Sequence, residues 1–273
     1  MYRLIALDVD GTLVDAEDRI TWAVREAVRA AVDRGVFVTL ATGRRFVAAR
    51  HVASDLAIEV PLILHGGAVI QDSATGEVLY QDPHDPAVVR QIVATMAAHG
   101  RPAIVYESPR HGGRLYLGRR FPRNRWIEAY EELRGPFGRI DEDDLDAVRD
   151  PLSVTTLDDP GLLGPLAQEI RSSIPANALH TRWHTWDCDA IEVFRAGCSK
   201  ATAVSHFAAG LGIEMSQVVA IGDGLNDIEL LSAAGLGVAM GNAVPEARAA
   251  ADVVVAGNDR DGVAEAIWRY VLV

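Results

Sequence analysis

The chain has 273 residues, 49% of them hydrophobic and 23% charged, the composition of an ordinary globular protein with room for one large or two modest domains. A net charge of -12 argues against nucleic acid or an anionic membrane as the main partner. The only cysteines, Cys188 and Cys198, lack metal-type spacing and point to a reducing cytoplasm rather than a disulfide framework. No apolar run is long enough to span a bilayer, and the N-terminus reaches Asp8 too early for a signal peptide.

Leu4, Ile5, Ala6 and Leu7 form a short apolar run of the kind a buried parallel strand shows, and it ends in Asp8, Asp10 and a Gly-Thr turn. Residues 20–34 carry Ile20, Val24, Ala27, Val28 and Ala31 at helical spacing and stop at Gly35. Residues 36–40 read as a second strand, followed by A-T-G-R. A helix is predicted at 46–56, a third strand at 61–64 and a hairpin at 68–80. This strand–helix rhythm predicts right-handed crossovers and a parallel sheet.

From 83 to 194 the rhythm breaks. Strand-like pieces at 103–106, 115–117, 152–157 and 191–194 lie among helical ones at 87–98, 126–133 and 162–171. The acidic run at 141–146 reads as a solvated turn or helix start. From 199 the alternation returns, with a helix from Lys200, strands at 218–221, 237–239 and 253–255, and helices at 225–233, 245–250 and 262–270. The expected fold is therefore α/β, a Rossmann-like parallel-sheet core made of residues 1–82 and 195–273, with an inserted α+β domain at 83–194.

A parallel sheet gathers its strand ends on one edge, where ligands bind. That edge would hold Asp8 and Asp10, Thr42 of A-T-G-R, Asp223 and Asp227 of G-D-G-L-N-D, and Lys200 at a helix start. Two carboxylates about 4 Å apart repel by about 4 kcal/mol at an effective dielectric of about 20, so Asp8 and Asp223 both stay ionised only with a cation between them. Oxygen ligands without nearby His or Cys favour Mg2+. Lys200 supplies fixed positive charge for a phosphoryl group, Asp227 orients the lysine, and Thr42 donates to phosphate oxygens. Asp8, at the strand terminus, is best placed to attack phosphorus. Asp10, on the turn, can protonate the leaving alkoxide and later deprotonate water; the residues alone do not separate these two roles.

D-V-D-G-T-L, the threonine of A-T-G-R, Lys200 in G-C-S-K, and G-D-G-L-N-D occur in the order of the haloacid dehalogenase superfamily of phosphohydrolases, which the chain resembles. The large insertion resembles the type IIB cap of the Cof-like branch. The resemblance implies that Asp8 is nucleophile and metal ligand, and that Asp10 is the acid/base and binds metal through its backbone carbonyl. It makes Asp223 a metal ligand, gives the phosphate to Thr42 and Lys200, and sets Asn226 and Asp227 to support substrate and lysine. Gly43 belongs to the same phosphate-binding motif, and Arg44 either reaches the substrate or caps the loop. The sequence departs from the pattern at L-H-G-G, residues 64–67, where many relatives carry an Asn-Gly pair and this chain has His65.

The expected activity is Mg2+-dependent hydrolysis of a small phosphorylated metabolite, such as a sugar phosphate, through an aspartyl-phosphate on Asp8. A phosphosugar mutase and a phospho-accepting signalling module are the rival readings. His65 reads as a loop histidine bonded to backbone, and Trp183, His184 and Trp186 as packing aromatics. Asp15, Glu17 and Asp18 read as a solvated loop.

Overall fold

The structure is a computed structural model that describes residues 1–15, 17–119, 123–183 and 186–272, without the side chains of Glu142 and Asp143; His184 of the expected aromatic cluster lies outside the described residues. The chain divides into two compact units, one formed by Met1–Tyr80 and Ser199–Val273, the other by Gln81–Cys198.

The first unit is built on five parallel strands. The strand Leu4–Leu7 lies between Phe37–Leu40 and Val218–Gly222, with Leu236–Ala239 and Val253–Val254 beyond the latter. Leu4–Leu7 and Val218–Gly222 are buried at every position, as apolar runs covered on both faces should be. Helix Trp22–Asp33 begins at Thr21, whose side chain accepts from Val24 N, and it buries the stripe Val24, Ala27, Val28 and Ala31. Leu7 pairs with Leu40 on one side and Ile221 on the other. That register sets Asp8, Ala41 and Gly222 side by side at the carboxyl edge of the sheet. Strand Leu62–Leu64 continues from Ala41 through a single parallel bridge at Ile63, then turns back antiparallel as Val69–Gln71.

The second unit carries a six-stranded sheet, in the order Ala176–Trp183, Cys188–Arg195, Ser153–Asp158, Ile104–Tyr106, Leu115–Gly118, Gly138–Ile140. Alternate residues of each strand point to opposite faces. On one face Val105, Val154, Ile191 and Val193 pack with Ile92 and Met96 of helix Pro86–Ala98 and Leu166 and Ile170 of helix Gly164–Ser173. On the other, Tyr106, Leu117 and Leu157 pack with Ile127 and Tyr130 of helix Arg125–Arg134. Trp183 and Trp186 meet Tyr130 edge to face at ring separations of 5.7 and 5.6 Å, so these tryptophans are packing groups.

Several elements differ from expectation. The strands Ala176–Trp183 and Gly138–Ile140 were not anticipated, and the 191–194 piece extends to Cys188–Arg195. The stretch 225–233 opens with a 3-10 turn, Leu225–Asp227, and the last helix, Gly262–Ala266, runs into a π-helical turn, Ile267–Val271. Among the described residues no helix is long and apolar enough to cross a membrane.

Candidate active site

The carboxyl edge of the first unit's sheet brings Asp8, Lys200, Asp223 and Asp227 together. Asp8 N donates to Ile221 O at 3.0 Å, extending the strand pairing by one residue and fixing the Asp8 side chain at the strand's tip. Lys200 is the first residue of helix Lys200–Gly210, whose start is set by a reciprocal cap: Ser199 accepts from Thr202 N, and Thr202 Oγ1 accepts from Ser199 N. The lysine is 1% exposed, and its Nζ donates to Asp8 Oδ1 and to Asp227 Oδ1, each at 2.6 Å. Asp227 is held at both oxygens, since its Oδ2 accepts from Asp223 N at 3.0 Å and Gly224 N at 2.9 Å. Thr12 Oγ1 donates to Asp223 Oδ1 at 2.8 Å. Gly11 has φ 83, and a Cβ there would stand 2.8 Å from Asp223 Cγ, so the Asp-Gly-Thr turn admits only glycine beside this carboxylate.

Burial dominates the electrostatics. It pushes the Asp8 carboxyl well above the usual range against the pull of Lys200, and Asp227, Asp223 and Asp10 push the same way. Burial, with Asp227, raises Asp223 to about 6, against the Thr12 hydrogen bond. Burial opposes the Lys200 charge, yet Asp227 and Asp8 outweigh it and hold the ammonium well above its ordinary value.

Oxygens of Asp8, Asp223 and Asp227 lie within 4.8 Å of one another. Fully ionised, three carboxylates against one ammonium would leave two negative charges in this space, which is the charge a divalent cation carries, and burial raises Asp8 and Asp223 in the absence of that cation. Asp8 Oδ2 and Asp223 Oδ2 accept no hydrogen bond among the described residues, whereas both Asp227 oxygens are engaged. An all-carboxylate donor set suits a hard ion such as Mg2+. The residues fit the metal, with Asp8 and Asp223 as the available ligands.

Thr42 is fully buried at the end of the second strand. Its N donates to Ile63 O at 3.0 Å, its Oγ1 accepts from Arg44 N at 3.1 Å, and its carbonyl accepts from Gly66 N at 3.0 Å. Gly43 next to it is exposed. The loop His65–Gly67 supports this motif from behind, with His65 N donating to Arg44 O at 3.2 Å. Gly67, at φ 105, lies against the start of the lysine helix, where a Cβ would come 2.8 Å from Lys200 N. His65 is buried, and burial, aided by the neighbouring Arg45 charge, lowers its pKa to about 3, so the imidazole is neutral. Asn226 is half-buried in the turn before Asp227.

Asp10 stands apart from the buried carboxylates. Its side chain is 63% exposed, and Arg44 Nη2 donates to its Oδ1 at 2.7 Å and Nε to its Oδ2 at 3.0 Å. The same Arg44 Nη2 also donates to Asp18 Oδ1 at 2.5 Å. Asp18, expected in a solvated loop, is thus a partner of the A-T-G-R motif. Its loop is folded by Asp15, whose Oδ1 accepts from Glu17 N and Arg19 N, an Asx turn that nothing in the spacing ties to Arg44.

Residues 5–267 match the family described as haloacid dehalogenase-like hydrolase. The chain belongs to that family. It is 33% identical over 270 residues to the 5-amino-6-(5-phospho-D-ribitylamino)uracil phosphatase YcsE of Bacillus subtilis, covering 99% of this chain and 96% of that one. The pyridoxal phosphate phosphatase YbhA of Escherichia coli is 29% identical over 283 residues, 99% of each chain. Among solved structures, a sugar phosphatase of the family's subclass IIB superposes with a TM-score of 0.82 at 25% identity, covering 99% of this chain and 100% of that one. This haloacid dehalogenase-like chain is an enzyme of the phosphatase type, on a parallel-sheet core with an additional sheet-bearing unit.

Proposed function

We propose that this enzyme hydrolyses small phosphomonoesters by passing the phosphoryl group first to Asp8 and then to water, with Mg2+ held by Asp8, Asp223 and the backbone carbonyl of Asp10. The observation that carries the reading is the buried Asp8–Lys200–Asp227 chain beside Asp223, with oxygens of the three carboxylates within 4.8 Å of one another. The bound metal supplies charge neutralisation for the phosphate dianion. A carboxylate must be ionised to attack, and burial works against that at Asp8; Lys200 supplies the opposing pull. One Asp8 oxygen attacks phosphorus as the ester P–O bond breaks, and Asp10 gives its proton to the departing oxygen. Water then attacks the phosphorus, Asp10 takes a proton from it, and the bond between Asp8 and phosphorus breaks to release inorganic phosphate. Lys200, Thr42 and Gly43, with Arg44, hold the phosphoryl oxygens, Asn226 supports the substrate, and Asp227 holds the lysine.

The named substrates of the relatives are a phosphorylated ribitylaminouracil, pyridoxal phosphate and sugar phosphates, which supports a small phosphorylated metabolite here. We assign the choice of leaving group to the inserted α+β cap, residues 83–194. Cys188 and Cys198 are both buried thiols, which supports a cytoplasmic setting. Phosphate release from a panel of phosphorylated metabolites, with Mg2+ and with chelator, tests the reading. We expect metal-dependent turnover that Asp8→Asn lowers by about a thousandfold or more while the circular dichroism spectrum is kept. Turnover retained by Asp8→Asn would reject the nucleophile.

A further inference from the structure

Arg44 lies between two carboxylates of the segment that joins strand Leu4–Leu7 to helix Trp22–Asp33. Asp10 takes Nε and Nη2 on its two oxygens, and Asp18 takes Nη2. The guanidinium side chain is 15% exposed, whereas the Asp10 and Asp18 side chains are 63% and 64% exposed. The backbone N of Arg44 is fixed on Thr42 Oγ1 at 3.1 Å, so its side chain can move while its main chain stays on the phosphate-binding motif. A carboxylate with both oxygens on a guanidinium fork is not poised to exchange a proton with a substrate. An incoming phosphate dianion is a stronger bidentate partner for that fork than an exposed carboxylate.

We infer that Asp18 and Arg44 form a latch on Asp10, in which Asp18 parks the guanidinium in the resting enzyme and an anionic substrate opens the latch by taking the guanidinium for itself. This rests on the roles proposed above for Asp10 and Arg44. Asp18 never touches substrate; it is a positioning residue that sets how much an anion must displace in order to bind. Its φ of 59 is left-handed, a conformation that Asn shares, so Asp18→Asn removes the charge and keeps the backbone.

Inorganic phosphate is the probe, measured both as a competitive inhibitor of aryl phosphate hydrolysis with Mg2+ and by calorimetric titration. Asp18→Asn should lower the inhibition constant of phosphate, and KM for the aryl phosphate, by about three- to fivefold, with kcat changing less than KM. Asp18→Glu should return both toward wild type, and in an Arg44→Ala background the Asp18→Asn effect should vanish. An inhibition constant that is unchanged or raised in Asp18→Asn, or an effect that persists without Arg44, overturns the latch. Wild-type enzyme that hydrolyses aryl phosphate and binds phosphate while Asp18→Asn behaves identically sinks the latch alone. Wild-type enzyme that does neither sinks the reading of the site and the latch with it.

Discussion

Lys200 is the residue whose environment is hardest to explain by packing alone. An ammonium at 1% exposure costs several kcal/mol to desolvate, and two carboxylates at 2.6 Å with further backbone donors on Asp227 offset that cost. Apolar residues of similar volume would fill the same space without that desolvation cost. Lys200→Ala would leave Asp8 and Asp227 buried without their counter-charge, and urea unfolding should show a loss of about 3–5 kcal/mol together with lost turnover. An unchanged unfolding midpoint would mean that the carboxylates are not held ionised by the lysine. Lys200 was legible because G-C-S-K restarts the α/β rhythm at a helix start. Asp18 was not legible. It acts through a turn that its own loop builds, on a partner 26 residues away, and a short acidic stretch before a helix carries no mark of that.

Among the elements, the His65–Gly67 loop ties the A-T-G-R motif to the lysine helix, with φ of 50, 63 and 105 at its three residues. A left-handed histidine is costly unless its surroundings impose it. Its burial also makes a pH prediction. The pKa of His65 is lowered from 6.5 to about 3 by burial and Arg45. The folded state therefore prefers the neutral ring, so the stability His65 contributes is present above its unfolded value of 6.5 and is lost as pH falls toward 3. Melting curves between about pH 7 and about pH 4 should show His65→Asn losing less stability on acidification than wild type, by up to a few kcal/mol. Parallel curves would mean that the ring is not buried as a neutral group. Strands buried on both faces, such as Leu4–Leu7 and Val218–Gly222, were readable as apolar runs. Ala176–Trp183 was not, because only Ala178 in it is buried and its apolar and polar residues do not alternate regularly along the sequence. Gly138–Ile140 is three residues long, too short to carry a period.

At the scale of the molecule, the arrangement depends on one sheet assembled from both ends of the chain. In-register parallel pairing of Leu4–Leu7 with Val218–Ile221 brings Asp8 and Asp223, more than two hundred residues apart, to one edge. The order of the motifs made that convergence legible, since a parallel α/β sheet has only one edge on which its strand ends collect. The insertion was legible as a break in rhythm, but its sheet order was not, because that order runs through the half-buried strand Ala176–Trp183 and the short Gly138–Ile140. The proposed mechanism requires Asp8 to carry the phosphoryl group. Turnover quenched in acid, reduced with borohydride and mapped by mass spectrometry tests this directly, because borohydride reduces an acyl phosphate to the alcohol. Homoserine is expected at position 8 only when substrate and Mg2+ were both present. Reduction at another carboxylate, or at none during active turnover, would contradict it.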